Sequence, residues 1–292
     1  MKINKAYFIL IFGLILWGMY PIFTHHYLIG LDPLFLVSVS TLFASIPFLI
    51  QLILKKEFKK FISFSVLKTL LFVALFNAIG QGFLFIGTGL TSGTNTGLLL
   101  QSEPIYSLVL GVIIFGEIIG SSQIIATLLM VLGAMIIVYK GRAGLNVGDI
   151  LILITPLMYQ ISHGFGKKLL NKGADVSLIL AGRQFYGGIM LFILTFIVNK
   201  SLVKSYSFNS WLVGFYLAIF TAVVALCWYA VIKKIRVSIA SSFLPLTALV
   251  SLIGAAFFLK EHVSIQQYVG FFLIVGGMIW QTYLINHKTL SA

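Results

Sequence analysis

The sequence predicts an all-α integral membrane protein with ten transmembrane helices, arranged as two inverted five-helix repeats. Three observations lead there: a scarcity of charge, a series of long uncharged runs, and a segment, residues 94–139, that recurs without a gap at 238–283.

Of 292 residues, 60% are hydrophobic and 9% are charged. A soluble domain carries about 25% charged residues, so this chain lacks the polar surface to cover a globule of its size. Residues 6–31, 33–54, 118–139, 237–259 and 263–286 contain no Lys, Arg, Asp or Glu. Each run is long enough to cross a hydrocarbon layer about 30 Å thick at about 1.5 Å per helical residue. The runs do not alternate between apolar and polar positions as barrel strands do. The net charge of +13 sits between the apolar runs. That is the distribution of basic loops held on the cytoplasmic side, and it argues against nucleic acid as a partner. Cys227 is the one cysteine, so no intrachain disulfide is available. The start Met1-Lys2-Ile3-Asn4-Lys5 has the basic character of a signal peptide. The apolar run after it is too long and lacks a small-residue cleavage site, so it reads as an uncleaved first span.

The ten expected spans, in order, are 6–26, 33–54, 67–88, 94–116, 121–139, 149–167, 177–199, 209–232, 237–259 and 263–285. Residues 69–102 are uncharged throughout and too long for one crossing. The stretch Gly87-Thr88-Gly89-Leu90-Thr91-Ser92-Gly93 therefore reads as a tight turn between spans three and four. With the N-terminus inside, fifteen of the twenty Lys and Arg residues fall on the inner side; Lys140, Arg142, Lys200, Lys204 and Lys260 fall outside. Both termini are thus expected to be cytoplasmic, in the cell (inner or plasma) membrane.

At the offset of 144, Leu100 meets Leu244, Ser107 meets Ser251, Glu117 meets Glu261, Gln123 meets Gln267, Gly133 meets Gly277 and Tyr139 meets Tyr283. Apolar matches between two apolar helices carry little information, but the paired Glu and Gln positions carry more. The expected repeats are 1–143 and 144–292, five spans each. Because five is odd, the second half enters the bilayer with reversed polarity, an arrangement found in secondary transporters.

With Trp17-Gly18 in the first span, Pro104 thirteen residues before Glu117, Gln123 ahead of Gly133, and Pro245-Leu246-Thr247 followed by Glu261, Gln267 and Gly277, the chain resembles the drug/metabolite transporter superfamily, EamA-type. The resemblance covers nearly the whole chain. It implies ten helices, cytoplasmic termini, a central cavity between the halves, and export or exchange of small metabolites. Amino acids and related compounds are common cargo; S-adenosylmethionine, sugars and drugs also occur. Two departures stand out. Pro245 lies three residues before Ala248, the partner of Pro104, so the two helix breaks need not be symmetric. The first span also lacks the carboxylate that the related small multidrug carriers use.

Glu103 is the sharpest candidate, nine residues into span four. An acidic group at mid-membrane costs roughly 2.5–3.5 kcal/mol on insertion scales, so it faces either a cavity or a partner. It reads as a site for a substrate ammonium or a coupling proton, or else as a structural glutamate near Pro104. Gln160 and His163 in span six read as a polar cavity face opposite Trp17 and Tyr20, or as helix-to-helix contacts. Arg183 could hold a substrate carboxylate, although such arginines more often snorkel to the headgroups. Asn77 and Gln81 share a helix face and either line the cavity or join helices. Trp228 and Tyr229 either stack a planar substrate or pack. Pro21, Pro104 and Pro245 are candidate helix breaks or gates, since each proline frees a backbone carbonyl. Glu117 and Glu261 are expected to start the helices that follow them. His25 and His26 point to different faces, so no metal site is expected.

A secondary transporter for an amino acid or related compound is the leading functional reading. A carrier for a larger metabolite such as S-adenosylmethionine, or a non-transporting channel or sensor, is the alternative. An enzyme would want clustered His, Asp or Cys, which are absent. No phosphate-binding loop or cofactor motif is present. The expected partners are a small-molecule substrate and the lipid bilayer, with homodimerisation left open.

Overall fold

A computed structural model describes residues 2–27, 32–90, 99–138, 146–199, 207–258 and 264–290. These residues are helical apart from short connections. The helices are α1 (Lys2–Tyr27), α2 (Pro33–Leu54), α3 (Phe58–Phe61), α4 (Phe64–Leu90), α5 (Glu103–Phe115), α6 (Ser121–Val138), α7 (Val147–Asn171), α8 (Val176–Asn199), α9 (Phe208–Ile232), α10 (Val237–Ser242), α11 (Leu246–Phe258) and α12 (Ile265–Leu290). Among the described residues, five stretches are long and apolar enough to cross a membrane: Leu34–Leu54, Phe64–Gly87, Val176–Val198, Phe208–Ile232 and Val237–Gly254. Shorter apolar helices cover Lys5–Met19, Glu103–Ile114 and Ser121–Ile136. The chain is a multi-pass helical membrane protein.

Local chemistry sets several helix starts. Asp32 Oδ1 accepts from the backbone N–H groups of Leu34 (2.8 Å) and Phe35 (3.2 Å) at the head of α2, with Pro33 in the first turn. Asn146 and Asp149 form a reciprocal capping box on α7, at 3.0 and 2.8 Å. Ser264 and Gln267 do the same for α12. Span two begins and ends where its uncharged run does. The loop after it holds a short helix, α3, that the charge pattern of Lys55–Lys60 hid. The turn expected at 87–93 does not begin at Gly87: α4 runs on through Leu90, and residues 91–98 lie outside the described ones.

Helices from the first part of the chain pack on helices from the second. α2 lies against α8 and α9, α4 against α7 and α8, α1 against α9 and α11, α5 against α7 and α10, and α6 against α12. The last pair explains the matched glycines. A Cβ on Gly133 would lie 2.7 Å from the Gly270 carbonyl oxygen, and one on Gly277 would lie 3.0 Å from that of Ala126. Only hydrogen fits at these two positions, which lets the backbones of α6 and α12 meet. Large apolar side chains such as Ile113, Ile193, Phe215 and Phe272 face outward.

The helix breaks turn out nearly symmetric. Residues 101–102 form a turn before α5, and residues 243–245 form one between α10 and α11. Offset by 144, the start of α5 at Glu103 falls on Thr247, one residue from the start of α11 at Leu246. The breaks therefore superimpose within a residue. Pro104 opens the helix after its break, whereas Pro245 closes the turn, and either position satisfies a ring that cannot continue a helix backwards. Pro21 produces no break, because α1 is continuous from Lys2 to Tyr27. Membrane helices absorb a single lost hydrogen bond in this way.

Candidate substrate site

The break before α5 sets Glu103 in the first turn of that helix, after the N-cap Ser102. From there its Oε1 accepts a 2.8 Å hydrogen bond from Gln160 Nε2 on α7. His163 lies three residues further along the same face of α7. Its ring stands 5.1 Å from that of Trp228 and 6.0 Å from that of Tyr229, both on α9. Arg183 comes in from α8. Its guanidinium lies 5.6 Å from the centre of the Tyr229 ring, and its Nε and Nη2 donate to Asn77 Oδ1 on α4 at 2.9 and 2.6 Å. Arg183 is the charged group that acts on Glu103, His163 and Tyr229. Five helices, α4, α5, α7, α8 and α9, thus bring seven of the expected residues into one neighbourhood.

The neighbourhood is largely buried, with Glu103, Arg183 and Trp228 themselves half-buried. Asn77 and Tyr229 are 0% exposed, Gln160 is 2% and His163 is 7%. Two hollows of about 330 and 270 Å³ lie elsewhere, walled by apolar side chains such as Leu67, Leu71 and Met190, or Phe43, Ile50 and Phe215. His163 Nδ1, Trp228 Nε1 and the Tyr229 hydroxyl are buried with no hydrogen-bond partner. An indole N–H and a guanidinium only donate, and a phenol donates readily. Orphaned buried donors are costly, so a set of them beside a cation suits an anionic oxygen.

Arg183 departs from the snorkelling expectation. Asn77 and the face of Tyr229 turn it inward, and it belongs to neither ion pair seen among the described residues, Lys55–Asp175 and Lys60–Glu57. Asn77 and Gln81 part company. Asn77 holds Arg183, while Gln81 accepts from Thr41 Oγ1 on α2 at 3.1 Å, away from the cluster. Trp17 is half-buried, and Gly18 beside it sits where α1 crosses α11. The side chains of Tyr20 and Pro21, like those of His25 and His26, lie outside the described ones. Gln184 went unassigned by sequence reasoning, although both its amide atoms are buried without a partner. Its only signal was its place next to Arg183. Thr41 also went unnoticed, within the polar series Ser38, Ser40, Thr41 and Ser45 of an otherwise apolar helix.

Apolar helices that bring opposite charges into one neighbourhood without pairing them suit a membrane transporter. Comparison with known proteins agrees. The EamA-like transporter family matches residues 4–139 and again 146–283. The chain belongs to the EamA-like transporter family. An uncharacterized transporter of Archaeoglobus fulgidus is 25% identical over 97% of this chain and 99% of its own length. The Bacillus subtilis transporter YoaV is 22% identical over 88% and 90%. A Methanothermobacter thermautotrophicus transporter is 24% identical over 72% of this chain, and the match spans 62% of that relative, less than two thirds of its length. A solved crystal structure covers 98% of this chain and 99% of its own with a TM-score of 0.79 at 17% identity, a likeness of fold.

Proposed function

We propose that this protein is a secondary transporter that carries a small zwitterionic metabolite, an amino acid or related compound, across the cell membrane by alternating access, in export or exchange. In this reading ten spans form two inverted repeats, 1–143 and 144–292, with both termini cytoplasmic and no cofactor. One observation carries the reading: Glu103 and Arg183 share a half-buried neighbourhood among apolar helices, yet each is hydrogen-bonded to a neutral amide, Gln160 or Asn77, rather than to the other. Holding two unpaired charges among membrane helices is costly. The cost is offset when a substrate ammonium meets Glu103 and a substrate carboxylate meets Arg183, with Trp228 and His163 beside the carboxylate. In this reading the helices around the cluster move to expose it to one side of the membrane at a time, as alternating access requires.

The experiment is a thermal-shift screen of the purified protein against amino acids, followed by counterflow in proteoliposomes with the best stabiliser. A ligand held at a hundred times its Kd raises stability by about 2.7 kcal/mol. Glu103→Gln and Arg183→Gln should each remain folded and lose both the shift and the counterflow. Uptake that persists in both variants removes the proposed site. The aromatic pair Trp228 and Tyr229 favours one second reading, a substrate that also bears a planar ring, such as S-adenosylmethionine. The same screen separates the two.

A further inference from the structure

The residues that hold α10 in place lie outside the substrate site. Glu117, in the connection between α5 and α6, reaches across to the other family-matched segment, where its Oε2 accepts from Ser238 Oγ on α10. This overturns the expectation that Glu117 serves the start of its own next helix. Arg236, the residue before α10, donates from Nη1 to the Ile118 carbonyl at 2.7 Å and from Nη2 to Gln123 Oε1 at 3.4 Å. Lys167, near the end of α7, donates to the carbonyls of Ile232 and Ile235 in the connection that leads into α10. Lys55 and Asp175 join the two segments at the same end of the bundle, at 2.5 Å. The paired motif residues have thus diverged: Gln123 reaches the other segment, whereas Gln267 caps its own helix.

α10 itself is short and buried along Val237, Ser238, Ala240, Ser241 and Ser242. Beyond it lies the unwound turn 243–245 with Pro245. At its far end, Ser242 Oγ accepts from Gln281 Nε2 at 3.2 Å. Gly111 on α5 leaves the space the contact needs: a Cβ there would sit 3.0 Å from Glu117 Oε2 and 3.4 Å from Ser238 Cβ.

We propose that α10 is a gate helix hinged at residues 243–245 and latched by Glu117 to Ser238, with Arg236 and Lys167 holding the two connections beside it. Releasing the latch lets α10 swing from α5 and opens the bundle at the end that bears the 116–120 and 233–236 connections. This rests on the carrier reading only in that a carrier must open; its test needs no substrate.

The test uses a Cys227→Ser background with one reporter cysteine, Ser241→Cys, at a position 0% exposed on α10. The rate of labelling by a bulky maleimide is measured on purified protein. Glu117→Ala and Ser238→Ala are each expected to raise that rate about tenfold or more, the effect of losing a charge-assisted hydrogen bond on a local opening equilibrium. A second reporter, Ala181→Cys, also 0% exposed, lies in the core on α8 and should stay unlabelled in both. Unchanged Ser241→Cys labelling overturns the gate, as does an equal rise at Ala181→Cys, which reports general loosening. If labelling rises as expected while no amino acid binds, the gate stands and the substrate reading falls.

Discussion

Arg183 donates two N–H groups, Nε and Nη2, to one oxygen, Oδ1 of Asn77, at 2.9 and 2.6 Å. The partner is neutral, so the guanidinium is oriented without being neutralised. Asn77→Asp is expected to keep or raise the melting temperature, because it supplies an ion pair, yet to abolish ligand-induced stabilisation by occupying the cation. Asn77→Ala is expected to cost about 1–3 kcal/mol by leaving buried donors unmet. Melting curves with and without amino acids check both. Ligand binding by Asn77→Asp at wild-type strength would remove Arg183 from recognition.

Gln160 orients Glu103 through one 2.8 Å bond. Gln160→Leu is expected to weaken substrate binding about tenfold, roughly 1.4 kcal/mol, with the fold retained. Titration calorimetry on the best stabiliser reads this directly, and an unchanged Kd would make that bond purely structural.

Gly166 sits against Tyr229, and a Cβ there would lie 2.6 Å from Cε1 and 2.7 Å from the hydroxyl oxygen. Gly166→Ala is expected to cost about 1–3 kcal/mol through overpacking and to displace the ring that Arg183 lies over. Gly276→Ala is the control, since nothing lies within 4 Å of its Cβ position. Equal melting temperatures for the two variants would contradict the packing.

Lys55 Nζ hydrogen-bonds Asp175 and holds its carboxyl below the usual carboxylate range, while the same contact pushes the Lys55 amine up. A carboxyl with a depressed folded-state pKa stabilises the fold above its unfolded value, and the contribution is lost as pH falls through the folded one. Asp175→Asn is therefore expected to lower the melting temperature slightly at neutral pH. The difference should vanish under acid and shrink in high salt, because the pair is exposed. A gap that persists below the carboxylate range would assign the effect to something other than this charge.

Much of the fold was legible because lipid imposes long uncharged runs, and α2 coincides with its run residue for residue. Glu103, Gln160 and His163 were legible as polar groups where polarity is expensive. Their convergence with Asn77, Arg183 and Trp228 was not, since five helices meet there and no spacing within one helix reveals its neighbours. Arg183 stayed between two readings because snorkelling is the default for a lone cation near a span end; its hydrogen bonds to Asn77, about a hundred positions away, are not visible in the sequence. Glu117 was misread for the same reason: its partner Ser238 is remote in the chain, whereas a local capping role needs no such knowledge.

The contact of α6 with α12 through Gly133 and Gly277 leaves no layer of side chains between two backbones. Such a seam has nothing to slide on; shifting either rod along the other drives carbonyl oxygen into carbon. A seam of this kind fixes the register of the two rods, and a larger residue at either glycine would prise them apart.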